Sequence, residues 1–382
     1  MKHIKVENFG PIGLADVEFG DLTIFVGAQA SGKSLFLELT KLMVDKESIV
    51  NNLRKYNYII GKNDQANLLD IYFGNGMSKA WNADTRVAVD CQGEIKGISI
   101  PAVIAEGAEE RMFYIPAQRI LSMSDGRPKA FSEFDSSCPY VLRQFSETLR
   151  LFMASGFDGK KSVLFPISTR LKKYQRDSFN DSIFHDGKVE MDVESGQRKM
   201  KLKVDGMEMP FMTWSAGQKE FMPLLMGFYC VSGSPTRVFN KEQYEYVVIE
   251  EPEMGLHPQA IKAVLLQIIE LIQSGYKVIL STHSSVPLEF VWAFNILKKS
   301  NKKGREQALY KLFDKNGHSR VAFQGIFDKS IRTYFFHRKD GVVSSVDISS
   351  LDASSEDVNI SEWGGLSNFA TEAADVVGQF CD

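Results

Sequence analysis

One octapeptide constrains this chain more than any other feature: Gly27-Ala28-Gln29-Ala30-Ser31-Gly32-Lys33-Ser34. The apolar run Leu22-Thr23-Ile24-Phe25-Val26 precedes it, and Leu35-Phe36-Leu37-Glu38-Leu39 follows. The order is strand, glycine-rich loop, helix. The spacing G-x-x-x-x-G-K-[ST] is that of a phosphate-binding loop. Glycines let successive backbone N–H groups turn inward around phosphate oxygens with no Cβ in the way. The helix start adds N–H donors without intrahelical partners and the positive end of a dipole. Lys33 can reach the β- and γ-phosphates as a point charge, and Ser34 can ligate Mg²⁺. Gly27 through Leu35 are therefore expected to hold a nucleoside triphosphate.

At 382 residues, the chain has room for a large core and one or two domains. Its 44% hydrophobic and 24% charged residues are ordinary for a globular protein. No apolar run is long enough to span a bilayer, and the alternating start Met1-Lys2-His3-Ile4-Lys5-Val6-Glu7 is not a signal peptide, so a cytoplasmic location is expected. Cys91, Cys138, Cys230 and Cys381 are scattered, which argues against a zinc site or a disulfide framework. A net charge of −3 gives no global basic footprint for nucleic acid. Two local runs leave nucleic acid open, each otherwise a solvated face: Lys298, Lys299, Lys302, Lys303 and Arg305, and Arg170, Lys172, Lys173 and Arg176.

Alternation over Ile4–Phe19 predicts a hairpin leading into the phosphate-loop strand, and helical spacing then runs from about Lys33 to Val44. Between 57 and 112 the pattern is mixed. Leu68–Phe73 is apolar with weak alternation, whereas Thr85–Val89 and Gly97–Ile100 look like strands. Phe113-Tyr114-Ile115 is a short strand ended by Pro116. Residues 129–181 read as mostly helical, with Arg170–Tyr174 continuing a polar helix. Lys188–Val193 and Met200–Val204 alternate about a turn at Ser195-Gly196, a strong hairpin signal. A second hairpin is expected across Arg332–Arg338 and Gly341–Val346, and a short terminal helix from Trp363 to Phe380.

Four further segments carry chemistry. Tyr246-Val247-Val248-Ile249 is a continuous apolar run, as a strand covered on both faces shows, and it ends in Glu250-Glu251-Pro252. Glu250 is placed to hold Mg²⁺ or its water, and Glu251 to polarise an attacking water. Ser215, in Trp214-Ser215-Ala216-Gly217-Gln218, precedes an apolar helix. It is either a helix cap alone or a cap whose hydroxyl also meets a γ-phosphate. His283 ends the strand Val278-Ile279-Leu280-Ser281, where it is either structural or a contact to the γ-phosphate or the water. Gln118 follows the Phe113–Pro116 strand and could reach Mg²⁺ or water.

The order G-x-x-x-x-G-K-S, Gln118, S-A-G-Q, I-E-E-P, His283 resembles the ATP-binding-cassette ATPase domain, with its Walker A, Q-loop, signature, Walker B and switch histidine. Glu250-Glu251-Pro252-Glu253-Met254-Gly255-Leu256-His257-Pro258 is similar to the E-E-P-E-x-x-L-H-P segment of OLD-like and SMC-related ATPases. Ile4–Pro11 is similar to their opening strand. The resemblance covers roughly residues 1–345. Ala28-Gln29-Ala30 stands where the family often has Pro-Asn-Gly, and Ala216 stands for a glycine.

This resemblance implies an α/β fold: an ABC-type head with a mixed sheet, flanking helices, a helical and hairpin insertion and a small C-terminal extension. The expected divisions are an N-terminal lobe 1–128, the insertion 129–210, a C-terminal lobe 211–295 and an extension 296–382. It implies ATP and Mg²⁺ as cofactors and hydrolysis of ATP to ADP and phosphate. It also implies a head-to-tail homodimer, or a larger homo-oligomer, in which Ser215, Gly217 and Gln218 meet the partner's nucleotide. No long coiled coil is visible, and little room remains for a Toprim nuclease domain. Asp347, Asp352, Glu356, Asp357 and Glu362 fall in Ser-rich, turn-like sequence. The compact form resembles the ATPase halves of bacterial anti-phage systems that control a separately encoded effector. The alternative is a DNA-binding ATPase of repair or replication. No membrane partner is expected.

Overall fold

A computed structural model of the chain describes residues 1–62, 64–90, 93–100, 107–156, 162–194, 197–234, 241–314, 317–367, 372–374 and 376–377. The chain begins with β1 (His3–Phe9), β2 (Ile12–Glu18), β3 (Leu22–Val26), α1 (Lys33–Lys55), α2 (Gln65–Phe73), β4 (Trp81–Val89) and β5 (Met112–Ile115). The middle holds α3 (Tyr140–Gly156), β6 (Ser162–Phe165), α4 (Lys173–Phe179), β7 (Lys188–Glu194), β8 (Gln197–Val204), β9 (Met207–Pro210) and α5 (Ala216–Val231). Then follow β10 (Tyr246–Glu250), α6 (Pro258–Gln273), β11 (Lys277–Ser281), α7 (Val286–Lys299), α8 (Arg305–Tyr310), β12 (Ile331–Lys339), β13 (Val342–Asp347) and α9 (Val358–Ser361). The fold is mixed α/β, as the sequence predicts.

The chain forms two compact units, each drawn from separated segments. The first comprises residues 1–40, 80–97 and 279–382, and the second 41–79 and 98–278. In the first, the strand order is β4-β1-β2-β13-β12-β3, continuing to β11. The pairs β4–β1, β1–β2 and β13–β12 are antiparallel, while β2–β13 and β12–β3 are parallel. β3 is buried at all five residues, so its unbroken apolar run is what a central strand requires. Phe25 packs edge-on to Phe36 and Phe336, with ring centroids 5.5 and 5.4 Å away, so helix α1 is seated directly on the strand that feeds the loop.

In the second unit, β10 runs parallel to β5, with Ile249 opposite Ile115, and β6-β7-β8-β9 form a separate antiparallel sheet. The start of β5 is fixed by a buried ion cluster. Lys41 Nζ donates to Asp45 Oδ2 at 2.9 Å, Glu110 Oε2 at 2.9 Å and the Met112 carbonyl at 2.7 Å. The Asp45 carboxylate accepts the N–H groups of Arg111 and Met112. Asp45 itself leaves the helical region (φ −113°, ψ 17°), so α1 kinks where its side chain takes over backbone bonding.

Several sequence expectations change. α1 continues past Val44 to Lys55. Leu68–Phe73 is helix: Asp64 caps it by accepting the N–H of Asn67, and Leu68, Leu69, Tyr72 and Phe73 share the buried face. Gly97–Ile100 is not a strand. The Ile98 N–H goes to the Gln65 side chain at 2.7 Å instead of a ladder partner. The polar helix starts at Lys173, and β6 and β9 are strands the pattern did not reveal. Both predicted hairpins form, β7–β8 and β12–β13, although Ser195-Gly196 lie outside the described residues. Trp363 (φ 53°), Gly364 and Gly365 make a turn after α9, and most of the expected helix beyond them lies outside the described residues. Cys138 and Cys230 are free thiols, and Cys91 and Cys381 fall outside the described residues. No helix among the described residues is long and apolar enough to cross a membrane.

Candidate active-site residues

In the first unit, the loop after β3 closes on its own lysine. Lys33 is 5% exposed, and its Nζ donates to the carbonyls of Gly27 at 2.8 Å and Ala28 at 3.1 Å and to Ser31 Oγ at 3.3 Å. Ala28, Gln29, Ala30 and Ser34 are exposed beside it, and Gly32 and Leu35 are half-buried. Gly27 sits at φ +149°, and a Cβ there would lie 2.2 Å from the Phe336 carbonyl oxygen, so only glycine fits. Ala30 holds φ +58° at the place where the family pattern has glycine. A left-handed non-glycine residue costs roughly 1–2 kcal/mol. At the end of β11 the Thr282 N–H donates to the Phe25 carbonyl at 3.0 Å, which puts His283, half-buried, at the C-terminal edge of this unit's sheet. That edge is where open α/β sheets bind ligands.

In the second unit, the backbone of the paired acids and of helix α5 meets at a residue the sequence reading passed over, Arg119. It is fully buried. Nη1 donates to the carbonyls of Glu250 at 3.1 Å and Glu251 at 3.2 Å, Nη2 to Glu251 at 3.3 Å, and Nε to the Glu220 carbonyl at 3.2 Å. Burial pulls its pKa down, while Glu220, Glu253, Glu251 and Glu250 act against that. The Glu250 side chain is 3% exposed, and its Oε2 accepts the Ala117 N–H at 3.2 Å. Glu251 is half-buried at φ +42°, a strained conformation for a side chain other than glycine's. Gln118, between Ala117 and Arg119, is exposed. The one sequence signal for Arg119 was a cation next to a Gln after a Pro-ended strand, and nothing in the sequence placed four carboxylates about it.

Ser215 caps α5 as expected. Its Oγ accepts the Gln218 N–H, and Gln218 Oε1 accepts the Ser215 N–H, both at 3.2 Å. Gln218 Nε2 also donates to the Ile183 carbonyl at 3.1 Å, so its amide is engaged at both ends. Ser215 remains exposed, and the buried Trp214 before it is anchored through Nε1 to the Met209 carbonyl. Gly217 packs against the segment after the paired acids. A Cβ there would lie 2.5 Å from the Gly255 carbonyl oxygen. Burial pushes the Glu220 carboxyl above its ordinary range, with Arg119 working against it.

The donor sets fit the groups that the motifs imply. The loop's lysine and the open first turn of α1 suit a chain of phosphates. The Ser34 hydroxyl and the Glu250 carboxylate are oxygen ligands of the kind a hard divalent cation takes. Among the described residues no three His, Cys, Asp or Glu side chains cluster as a metal cage.

A family model described as "AAA domain, putative AbiEii toxin, Type IV TA system" matches residues 162–289. Over 59 residues the chain is 41% identical to the Old nuclease of Escherichia phage P2. Part of the chain is thus similar to AAA-domain ATPases and to an OLD-type nuclease. The matched stretch is 15% of this chain and 10% of the phage nuclease, so the similarity spans only a small part of that relative's length. Solved structures similar to this chain include an SMC head bound to the C-terminal winged-helix domain of ScpA, at 13% identity and TM-score 0.45. That match covers 91% of this chain and 96% of the other. A second is the SMC head domain from Thermotoga maritima, at 10% identity and TM-score 0.36, covering 91% and 98%.

Proposed function

We propose that this protein is an ATP-hydrolysing switch that pairs head to tail and controls a separately encoded effector in anti-phage defence. The observation that supports it most is the loop Gly27–Ser34, which holds the Lys33 ammonium among its own carbonyls at the N-terminus of α1. Such a loop concentrates positive charge and inward N–H donors where a triphosphate would lie.

In this reading the Gly27–Leu35 backbone and Lys33 bind the β- and γ-phosphates. Glu251 accepts a hydrogen bond from the attacking water and takes its proton as the water adds to the γ-phosphorus. The bond to the β,γ-bridging oxygen breaks, giving ADP and phosphate. His283 contacts the γ-phosphate or the water. Ser34 and Glu250, with Gln118 as a third candidate, would hold Mg²⁺, which neutralises phosphate charge when bound. Ser215 and Gly217 of one protomer would meet the nucleotide of its partner. A single head leaves part of the γ-phosphate charge without donors, and closure supplies them and expels water.

Control of an effector in defence rests on kinship with a phage nuclease and with a family described in toxin–antitoxin terms. Sedimentation velocity of the Glu251→Gln protein with and without Mg-ATP tests the pairing. A doubling of mass only with ATP supports it, and an unchanged mass at saturating ATP contradicts it.

A further inference from the structure

Positive charge in this chain concentrates in residues 298–320, which hold eight lysines and arginines against two carboxylates, Glu306 and Asp314, within a chain of net charge −3. The first unit holds a cavity of about 440 Å³ lined by Lys302, Lys303, Arg305, Glu306 and Arg320, among others.

The cations are of two kinds. Arg305 is fixed: its Nη1 donates to the carbonyls of Lys298 and Ser300, each at 3.2 Å, and its guanidinium lies 4.8 Å over the Phe327 ring. Lys302, Lys303 and Arg320 are exposed, and among the described residues their side chains make no hydrogen bond or ion pair. Among the described lining residues the one acid, Glu306, accepts the Gly325 N–H at 3.0 Å. Four cations around one cavity repel each other, and a single negative charge would leave most of that repulsion in place. Among the described residues the cavity also lacks a stacking surface, since Tyr310 in its wall is only 9% exposed. A base would find no platform, so recognition falls to phosphates.

We propose that this cavity binds a ligand bearing several closely spaced phosphates, met by Lys302, Lys303 and Arg320 with Arg305 as a fixed charge behind them. Two sources share that chemistry, the backbone of a nucleic acid and a free polyphosphate chain. The proposal uses none of the residues assigned to ATP hydrolysis and stands whether or not hydrolysis occurs.

The test compares the full chain with a Lys302→Gln, Lys303→Gln, Arg320→Gln triple variant and with each single variant. The probes are a fluorescein-labelled 20-nucleotide DNA, as single strand and as duplex, followed by anisotropy across a salt series, and inorganic tripolyphosphate followed by calorimetry. For a nucleic-acid backbone, the log of affinity falls with the log of salt at a slope of about −2 to −3, as for three neutralised phosphates. The triple variant then weakens binding at least about tenfold and each single variant less, with thermal midpoint and ATP turnover unchanged. Binding of tripolyphosphate but not DNA, lost in the triple variant, assigns the free chain instead. The proposal is overturned if the wild-type chain binds neither probe, or if the triple variant binds both as the wild type does.

Discussion

The Arg119 guanidinium donates twice to the backbone carbonyl of Glu251, from Nη1 at 3.2 Å and Nη2 at 3.3 Å. Glu251 is at φ +42°, so the acid with the strained backbone has that backbone's carbonyl held by a buried cation. The same cation reaches the carbonyls of Glu250 and Glu220, and so ties the end of β10 to the first turns of α5.

Arg119→Lys keeps the charge and loses the planar fork that serves three carbonyls. We expect turnover to fall by about ten- to a hundredfold, as for a catalytic group displaced by a fraction of an ångström. ATP affinity should stay within about threefold, since the hydrogen bonds of this side chain go to the carbonyls of Glu220, Glu250 and Glu251. Steady-state kinetics paired with nucleotide titration reads both. Equal loss of affinity and turnover would reduce Arg119 to a general structural role.

Ala30 offers a test of the phosphate loop's strain. Its φ of +58° is comfortable for glycine and costly for alanine. Ala30→Gly relieves that cost but gives the unfolded chain more freedom, so the net expectation is a gain of about 0.5 kcal/mol. Urea denaturation measures it. A loss of stability would show that the loop does not hold this backbone geometry.

Ser215 allows capping to be separated from catalysis. Ser215→Ala removes the cap to Gln218 and should cost about 1 kcal/mol. Ser215→Asn restores a capping side chain and with it the stability. If the hydroxyl meets a partner's nucleotide, turnover stays low in both variants. Recovery of turnover together with stability in the asparagine variant would leave Ser215 a cap and nothing more.

Where one local rule decides the structure, the sequence was a sufficient guide. The strand, loop and helix at 22–44 follow from glycine spacing and a fully apolar strand, the β7–β8 hairpin follows from strict alternation, and Ser215 with Gln218 spells out its own capping box. What escaped depends on partners distant in sequence. Ile98 and Ile100 are apolar enough for a strand, but the Ile98 backbone is satisfied by Gln65. Leu68–Phe73 had its signal in Asp64, a cap, more than in its apolar spacing. Arg119 is the plainest instance. A basic residue after a glutamine reads as surface, and only the fold, which brings Glu220, Glu250 and Glu251 to it, turns it into the buried centre of the acid cluster.

The most direct measurement compares ATP turnover and ATP binding in the wild-type, Lys33→Ala and Glu251→Gln proteins. The wild type should release phosphate from ATP. Lys33→Ala should lose binding by about ten- to a hundredfold, the worth of a charge-assisted contact, and Glu251→Gln should bind ATP undiminished while turnover falls about a hundredfold or more. Undiminished turnover in Glu251→Gln, or no detectable ATP uptake by the wild type, would contradict the account.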